Sequence, residues 1–502
     1  MAKKDSIKKD VLKSKLKQKI LKNDKENDKK SEKKSGFRSL ISAVFYIYLT
    51  GKVVVFLWFV YYIVKDVAPS HDLPEFDLNV WWGKNSTEPQ DTSIRPYQVV
   101  FTDAMESEIR WLFETYRQSK KKISLEDSAW TYGVNSEAFA DFYSYWIFKY
   151  DFKQRPKFLN QFEQFKTNIQ GLDIHYLHVK PNADHNTVVL PLLLLHGWPG
   201  SVREFYEAIP LLTTARKDYN FVFEVIVPSL PGFIFSDAPT RPGLSPHQIA
   251  IVMRNLMRRL GFIYYYVQGG DFGHAIGSNM ATIFPNEVLG FHTNLPFSYS
   301  KMATLTWVFG AIWPSFVAEK HADKLYPLGD KVTYYLEEFG YMHLQSTKPD
   351  TIGIALQDSP AGLATYLLDK FMVFTNPANK LDPKGGLDEY YSKDKLLDNI
   401  MLYWISGSIT TAMRLYKESI ADIDMEQVLA QISTPVPTWG LRFKHELAHT
   451  PDFLLKWKYP NLVGFSEFDF GGHFAAFERP KEFSNDVFKA VKAIQDFRGV
   501  IY

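Results

Sequence analysis

Residues Gly269-Gly270-Asp271-Phe272-Gly273 directly follow an apolar, β-rich run at 262–267. A strand that ends in small-x-acid-x-small has the form of a nucleophile elbow, where small neighbours let the backbone turn sharply and expose one side chain. That side chain is ordinarily a serine. Here it is a carboxylate, which changes the chemistry. Serine attacks carbonyl carbon and leaves an acyl ester, whereas aspartate attacks saturated carbon and leaves an alkyl ester on itself. Few groups leave saturated carbon readily; halide and the oxygen of a strained epoxide ring do. Gly-Gly-Asp is also common turn composition, so the reading depends on what else the chain supplies.

An alkyl ester must be removed by water, which requires a base. Gly471-Gly472-His473 follows the last apolar run and places a histidine on a loop at the carboxyl end of the expected sheet. Sites of open α/β sheets lie at that end, and nucleophile, acid, histidine is the chain order of this hydrolase architecture. The acid should follow the preceding strand and orient the imidazole; Glu446 and Asp452 both qualify. His196-Gly197-Trp198-Pro199-Gly200 follows another apolar run. A His-Gly turn there supplies one oxyanion-hole N–H, and the residue after the nucleophile supplies the other. Trp198 and Phe272 are the expected donors, through their backbone. A competing pattern, His445-Glu446-Leu447-Ala448-His449, matches the zinc motif H-E-x-x-H, with Glu467 or His473 as a third ligand. That motif needs a helix to bring both histidines to one face, and Pro451 leaves little room for one. No metal and no cofactor is therefore expected.

The elements that must position these residues are legible as alternation. The runs at 188–195, 221–227 and 262–267 read as strands buried on both faces, with helical patterns at 203–212 and 246–260 between them. Alternation resumes with strands at 436–443 and 463–470 and a helix at 480–497. This is the pattern of a mainly parallel, doubly wound α/β sheet. Upstream, 158–179 reads as paired strands and 103–116 and 136–150 as helices. Residues 299–420 change texture, with Tyr-, Leu- and Lys-rich helical segments expected to form an inserted lid. The expected organisation is a basic tail (1–38), a membrane anchor (39–65) and an N-terminal meander (66–160), followed by an α/β-hydrolase core split into two segments (161–298 and 421–502) by the lid (299–420).

Of the 502 residues, 46% are hydrophobic and 16% aromatic, ample for a large core and an apolar pocket. A formal net charge of +2 gives no global nucleic-acid signal, and the absence of cysteine excludes disulfide and thiolate chemistry. The basic residues concentrate in the first 38, with fourteen lysines and one arginine against six acids. Such a tail cannot bury a core and is expected to be disordered or to lie against anionic lipid. Residues 40–64 are apolar and aromatic, long enough to span a bilayer, for which about 20 residues suffice. Lys52 opposes this, at roughly 2.5–3.5 kcal/mol for a central lysine.

With Asp271, the His196-Gly197-Trp198-Pro199 turn and His473 in place, the chain resembles the microsomal-type epoxide hydrolases of the α/β-hydrolase superfamily. The resemblance runs from about residue 81 to the C-terminus, through DTSIRPY (91–97), GLDIHYLHVKP (171–181), LHGWPGS (195–201) and VQGGDFG (267–273). It continues through GYMHLQSTKPDTIGIALQDSPAGLA (340–364), MLYWISGSI (401–409), HELAHTP (445–451) and GGHFAAFERP (471–480). It implies that Asp271 opens the epoxide to an alkyl-enzyme ester, and that His473, oriented by Glu446, activates water to release a vicinal diol. It also implies that Tyr341 and Tyr416 donate hydrogen bonds to the epoxide oxygen, and that Asp452 lies outside the triad. The implied partners are a small lipophilic epoxide, water and the lipid bilayer, with no nucleic acid and no obligatory protein partner. The implied location is the endoplasmic reticulum membrane, on a single-pass anchor.

Three departures from the family pattern stand out. Phe272 replaces a usual Trp, His274 replaces a small residue, and Ile234 occupies a place usually held by Gly, where a β-branched residue resists positive φ. None removes a reacting group. A haloalkane dehalogenase shares the aspartate chemistry, but Phe272 removes an indole donor suited to halide. A non-catalytic, membrane-tethered hydrolase-fold protein would be expected to have lost some member of the triad. The charge flanking the anchor places the tail in the cytosol and the catalytic region in the lumen. The family implies a cytosolic catalytic region, which is the arrangement expected here; Asn85-Ser86-Thr87, a glycosylation acceptor usable only in the lumen, can report on it.

Overall fold

Leucine and valine runs fill the middle of the sheet, where strands are covered by helices on both faces. The computed structural model describes residues 72–84, 90–119, 124–317 and 320–499, together with helical positions at 14, 17, 22, 46, 50–54, 58 and 61. It divides into Met1–Ala68 and Pro69–Tyr502. Among the described residues no helix is long and apolar enough to cross a membrane. The expected tail and anchor fall mostly, and the Asn85 acceptor wholly, outside the described residues.

The second unit carries a nine-stranded sheet in the order β1-β2-β3-β5-β4-β6-β7-β8-β9. The strands are β1 Arg95–Tyr97, β2 Gln164–Ile169, β3 Leu172–Val179, β4 Val188–Leu195, β5 Phe221–Pro228, β6 Tyr265–Gly269, β7 Val288–Thr293, β8 Thr438–Arg442 and β9 Leu462–Glu467. β1, β2 and β3 pair antiparallel, as does β3 with β5; every pairing from β5 through β4 to β9 is parallel. The fold is therefore α/β, a mainly parallel sheet with an antiparallel edge, and its apolar runs form strands of the parallel region. The turn out of the antiparallel pair β2–β3 is also defined: Gln170 and Gly171 both have positive φ.

Strand order reverses at β4, which lies between β5 and β6. Ligand sites form at such a switch point, outside the carboxyl ends of the strands. Leu195, the last residue of β4, is in register with Gly269, the last of β6. The turns that begin at His196 and Gly270 consequently leave the sheet side by side.

Three elements differ from the sequence expectation. β6 begins at Tyr265 rather than 262, and the expected helix at 203–212 is a 3-10 turn, Val202–Phe205, followed by the short helix Ile209–Leu212. β7 carries no long apolar run because Gly290 interrupts it. A Cβ there would come within 2.8 Å of Ile494, so the glycine lets the C-terminal helix Pro480–Arg498 approach the sheet. Between β7 and β8 the described chain is helical, from Lys301–Phe309 to Ile423–Gln431.

Candidate active site

Asp271 sits at φ 49° and ψ −129°, between β6 and the helix Phe272–Ile283. A non-glycine residue held there costs of order 1–3 kcal/mol and persists because its surroundings are tight. Cβ atoms on Gly269, Gly270 and Gly273 would come within 2.1 Å of the Gly273 carbonyl oxygen, 2.4 Å of Asn294 Nδ2 and 2.2 Å of the Leu195 carbonyl oxygen. The small residues flanking the acid are thus required by contact with the neighbouring backbone and side chains.

The backbone N–H of Trp198 donates to Asp271 Oδ1 at 2.9 Å, and that of Phe272 also bonds the carboxylate. A Cβ on Gly197 would lie 2.3 Å from Oδ1, so this turn accommodates only glycine. His196 fixes the same peptide from its other end: Nδ1 donates to the Gly197 carbonyl at 3.0 Å, while Nε2 accepts the Leu230 N–H at 3.1 Å. Burial lowers the His196 pKa to about 4, which keeps that ring neutral and able to do both.

His473 Nδ1 lies 2.6 Å from Glu446 Oε1, and its Nε2 lies 3.4 Å from Asp271 Oδ2. Burial acts to lower the imidazole pKa, but the Glu446 charge and the hydrogen bond and charge of Asp271 outweigh it, and the pKa stands well above its ordinary value. Burial likewise raises the Asp271 carboxyl, yet His473 and the two N–H donors bring it below its ordinary value. Both groups are therefore charged at neutral pH. Loss of the Asp271 charge would remove one of the two influences that hold the proton on His473. An imidazolium that becomes basic once its neighbour is esterified suits a two-step reaction.

Asp452, the other candidate acid, pairs with Arg442 at 2.6 Å and is largely solvent-exposed. His445, Glu446 and His449 lie on a turn and loop after β8, not on a helix. Glu446 is turned to His473, while the His449 ring packs 4.7 Å from that of His321. Among the described residues no group of three His, Asp or Glu side chains could hold a metal.

Tyr341, on helix Gly340–Thr347, and Tyr416, on helix Ile409–Ala421, converge near Asp271. Tyr341 stacks on Trp198 at 5.2 Å, and Tyr416 meets Trp198 edge-on at 5.7 Å and Phe272 at 4.8 Å. Burial, followed by neighbouring charges and phenols, holds both hydroxyls well above the ordinary tyrosine value. They remain proton donors throughout the accessible pH range, and both feel the Asp271 charge. Phe272 thus serves as a wall for Tyr416.

The other two departures are structural. His274 is buried and bonds Thr293 Oγ1 at 2.9 Å and the Phe297 carbonyl at 3.0 Å, which ties the elbow helix to the loop after β7. Ile234 does adopt positive φ, 48°. Its buried side chain and the bond from its N–H to Ser408 Oγ at 3.0 Å hold it there.

The residues that clamp the His196–Gly200 turn carry no such role in the sequence patterns above, although Tyr403 falls within MLYWISGSI. From helix Lys393–Ser406, Asn399 Nδ2 donates to the Pro199 carbonyl at 2.8 Å and Tyr403 donates to the Gly200 carbonyl at 2.8 Å. Asp398 receives Arg203 Nε at 2.9 Å and also pairs with Arg155. A cavity of about 880 Å³, walled by Phe297, Trp307, Tyr334, Leu447 and Phe468 among others, borders Glu446 without reaching Asp271.

Comparison with known proteins decides what this geometry belongs to. The family description "Epoxide hydrolase N terminus" matches residues 94–205, and "alpha/beta hydrolase fold" matches 191–337. A juvenile hormone epoxide hydrolase of Bombyx mori is 48% identical over 430 residues, 85% of this chain and 93% of that protein. The chain belongs to the epoxide hydrolase family. Epoxide hydrolase 1 of Oryctolagus cuniculus is 40% identical over 424 residues, 83% of this chain and 92% of that one. The crystal structure of the silkworm juvenile hormone epoxide hydrolase matches with a TM-score of 0.81 at 49% identity, covering 84% of this chain and 100% of the other. Hydrolysis of epoxides is accordingly the activity of this epoxide hydrolase.

Proposed function

We propose that this epoxide hydrolase converts lipophilic epoxides, terpenoid epoxides of the juvenile hormone type foremost, to vicinal diols through an alkyl ester on Asp271. The observation that carries the mechanism is the pair of contacts on one carboxylate: Oδ1 is held by the Trp198 N–H and Oδ2 faces His473. Oδ2 is then the attacking oxygen. Its electron pair forms the bond to an epoxide carbon, the C–O bond of the ring breaks, and the departing alkoxide takes a proton from Tyr341 or Tyr416. That tyrosine regains one from the His473 imidazolium and so leaves the ring neutral. Oδ1 becomes the ester carbonyl oxygen, already in place between the donors that stabilise charge when water adds. Glu446 orients His473 as the base for that water.

The substrate class rests on the similarity to the silkworm enzyme and on the aromatic walls at Trp198, Phe272, Tyr341 and Phe374. A panel of juvenile hormone, fatty-acid epoxides and small aromatic oxides, scored for diol formation, tests it. The expected order of kcat/KM has the terpenoid epoxide first; turnover of the small oxides alone would overturn the assignment. Among halides, Phe272 offers no indole donor, and the two phenols suit an oxygen leaving group better.

Tyr341→Phe and Tyr416→Phe should each slow ring opening while leaving ester hydrolysis near normal. A donor to a developing oxyanion contributes roughly 10²–10³-fold. Single-turnover measurement of the alkylation rate checks this, and an unchanged rate in both variants would transfer the role elsewhere.

The apolar stretch at 40–64 supports attachment to the endoplasmic reticulum membrane by one N-terminal anchor. The catalytic unit faces the cytosol in this reading, as the family resemblance implies and against the flanking basic charge, which favours the lumen. The full chain expressed in cells should show no glycosidase-sensitive mass. A shift that vanishes in Asn85→Gln would place the catalytic unit in the lumen instead.

A further inference from the structure

Glu204 is a buried acid with no role in the chemistry described so far. It lies in the turn Val202–Phe205, only 9% exposed. Gly200 leaves the space its carboxyl group fills: a Cβ there would fall 1.3 Å from Glu204 Oε1. The other buried acids around His473 are engaged. Glu446 holds the imidazole and the Leu447 N–H at 2.7 Å. Glu478 takes the N–H groups on either side of His473, Gly472 at 2.8 Å and Phe474 at 3.0 Å. Among the described residues only the Ser201 N–H bears on the Glu204 carboxyl group, and its oxygens are not among the sealed, unpartnered atoms.

Glu204 lines a small cavity. Its volume is about 20 Å³, and its walls include Glu204, Gly197, Asp271, Asn294, His473 and Phe474. A cavity of about 10–15 Å³ or more, with polar partners, holds one water molecule. This one borders both the carboxylate to be esterified and the base that must deprotonate the water. Its walls come from the core loops, whereas Tyr341 and Tyr416 reach Asp271 from the helices inserted between β7 and β8. Water can therefore occupy this space while substrate occupies the other face.

We propose that Glu204 positions the hydrolytic water in this cavity, an inference that rests on the Asp271 ester mechanism above. The water oxygen bonds to Cγ of the ester as its proton passes to His473 Nε2, and the carbonyl electron pair moves onto Oδ1, held by Trp198 and Phe272. Collapse breaks the Cγ–Oδ2 bond, so Oδ2 leaves in the diol with the proton from His473. The water oxygen stays on Asp271 and its second proton passes to His473, restoring the ion pair. Glu204 neither gains nor loses a proton. Burial, with the Asp271 and Glu478 charges adding and His473 opposing, raises its pKa to about 8, so at neutral pH it both donates to and accepts from water. Tyr391 and Tyr403 also face it, and Glu478 shares its environment, with a pKa raised to about 7 mainly by burial.

The test uses the full chain with Glu204→Leu and Glu204→Gln, following alkylation and ester hydrolysis separately by rapid quench and intact mass. In Glu204→Leu, alkylation should stay within about twofold while hydrolysis slows roughly 10- to 100-fold, the cost of a misplaced reactant. The ester should accumulate, and kcat and KM should fall together with kcat/KM kept. Glu204→Gln, which still donates and accepts, should restore most of the hydrolysis rate. Glu204→Ala is read in the same way where leucine does not fold. Hydrolysis within twofold of wild type in the apolar variant overturns the proposal, as does a parallel loss of both steps. Absence of an ester on Asp271 in the wild type and the variants alike, during turnover that forms diol, would instead refute the mechanism beneath it.

Discussion

Asp271→Asn should form no diol. The amide is a poor nucleophile at saturated carbon, and no other described carboxylate receives the Trp198 N–H or faces His473 Nε2. The fold should survive the change. Asparagine has the same shape, its oxygen can still accept the Trp198 N–H, and asparagine is among the residues that best tolerate positive φ. A loss on the order of 10⁴-fold or more is expected, as for nucleophiles in other covalent enzymes. Diol formation by homogeneous protein, with intact mass excluding deamidation back to aspartate, is the measurement. Wild-type turnover by such a sample would remove the ester mechanism altogether.

The features of this site that the sequence reveals are those set by backbone constraints. The glycines around Asp271 are needed because the elbow lies against Leu195, Gly273 and Asn294, and that need leaves a local signature. The apolar strands β4 and β5 are equally plain, since strands covered on both faces must be apolar throughout. Chain order then places Glu446 and His473 at the ends of β8 and β9, although periodicity alone cannot choose Glu446 over Asp452. Proximity to the strand end favours the former, and the hydrogen bond at 2.6 Å agrees.

What stays hidden depends on contacts between distant segments. Tyr341 and Tyr416 are two of 28 tyrosines, and only the packing of their helices over Trp198 singles them out. Without the family resemblance nothing in the sequence selects them. Asn399 and Tyr403 hold the His196–Gly200 turn across about 200 residues of chain, a relation no local pattern encodes. Glu204 looks in sequence like a solvent-facing acid within an expected helix. Its burial arises because that segment is a 3-10 turn pressed against the site, with Gly200 making room. β7 is obscured for a similar reason: Gly290 serves the C-terminal helix, which the chain reaches only after the inserted helices and two more strands.

His473→Gln should separate the two chemical steps. Ring opening needs the Asp271 carboxylate and the phenols, which this substitution leaves in place, so substrate should still become attached. Glutamine cannot take a proton from water, and general-base assistance contributes roughly 10²–10⁴-fold; the ester should therefore persist. The substitution also removes the positive charge that lowers the Asp271 carboxyl. With the Trp198 and Phe272 N–H groups still lowering it and burial raising it, the carboxylate should require a somewhat higher pH, so alkylation in the variant should weaken on the acid side before it does in wild type. Intact mass after mixing with a substrate that wild type turns over should show protein plus one substrate, and peptide mapping should place the addition on Asp271. Multiple turnover should stop after that first equivalent. Continued turnover near the wild-type rate with no trapped adduct would mean that another group activates the water, and the short contact between His473 and Glu446 would then have to be explained by structure alone.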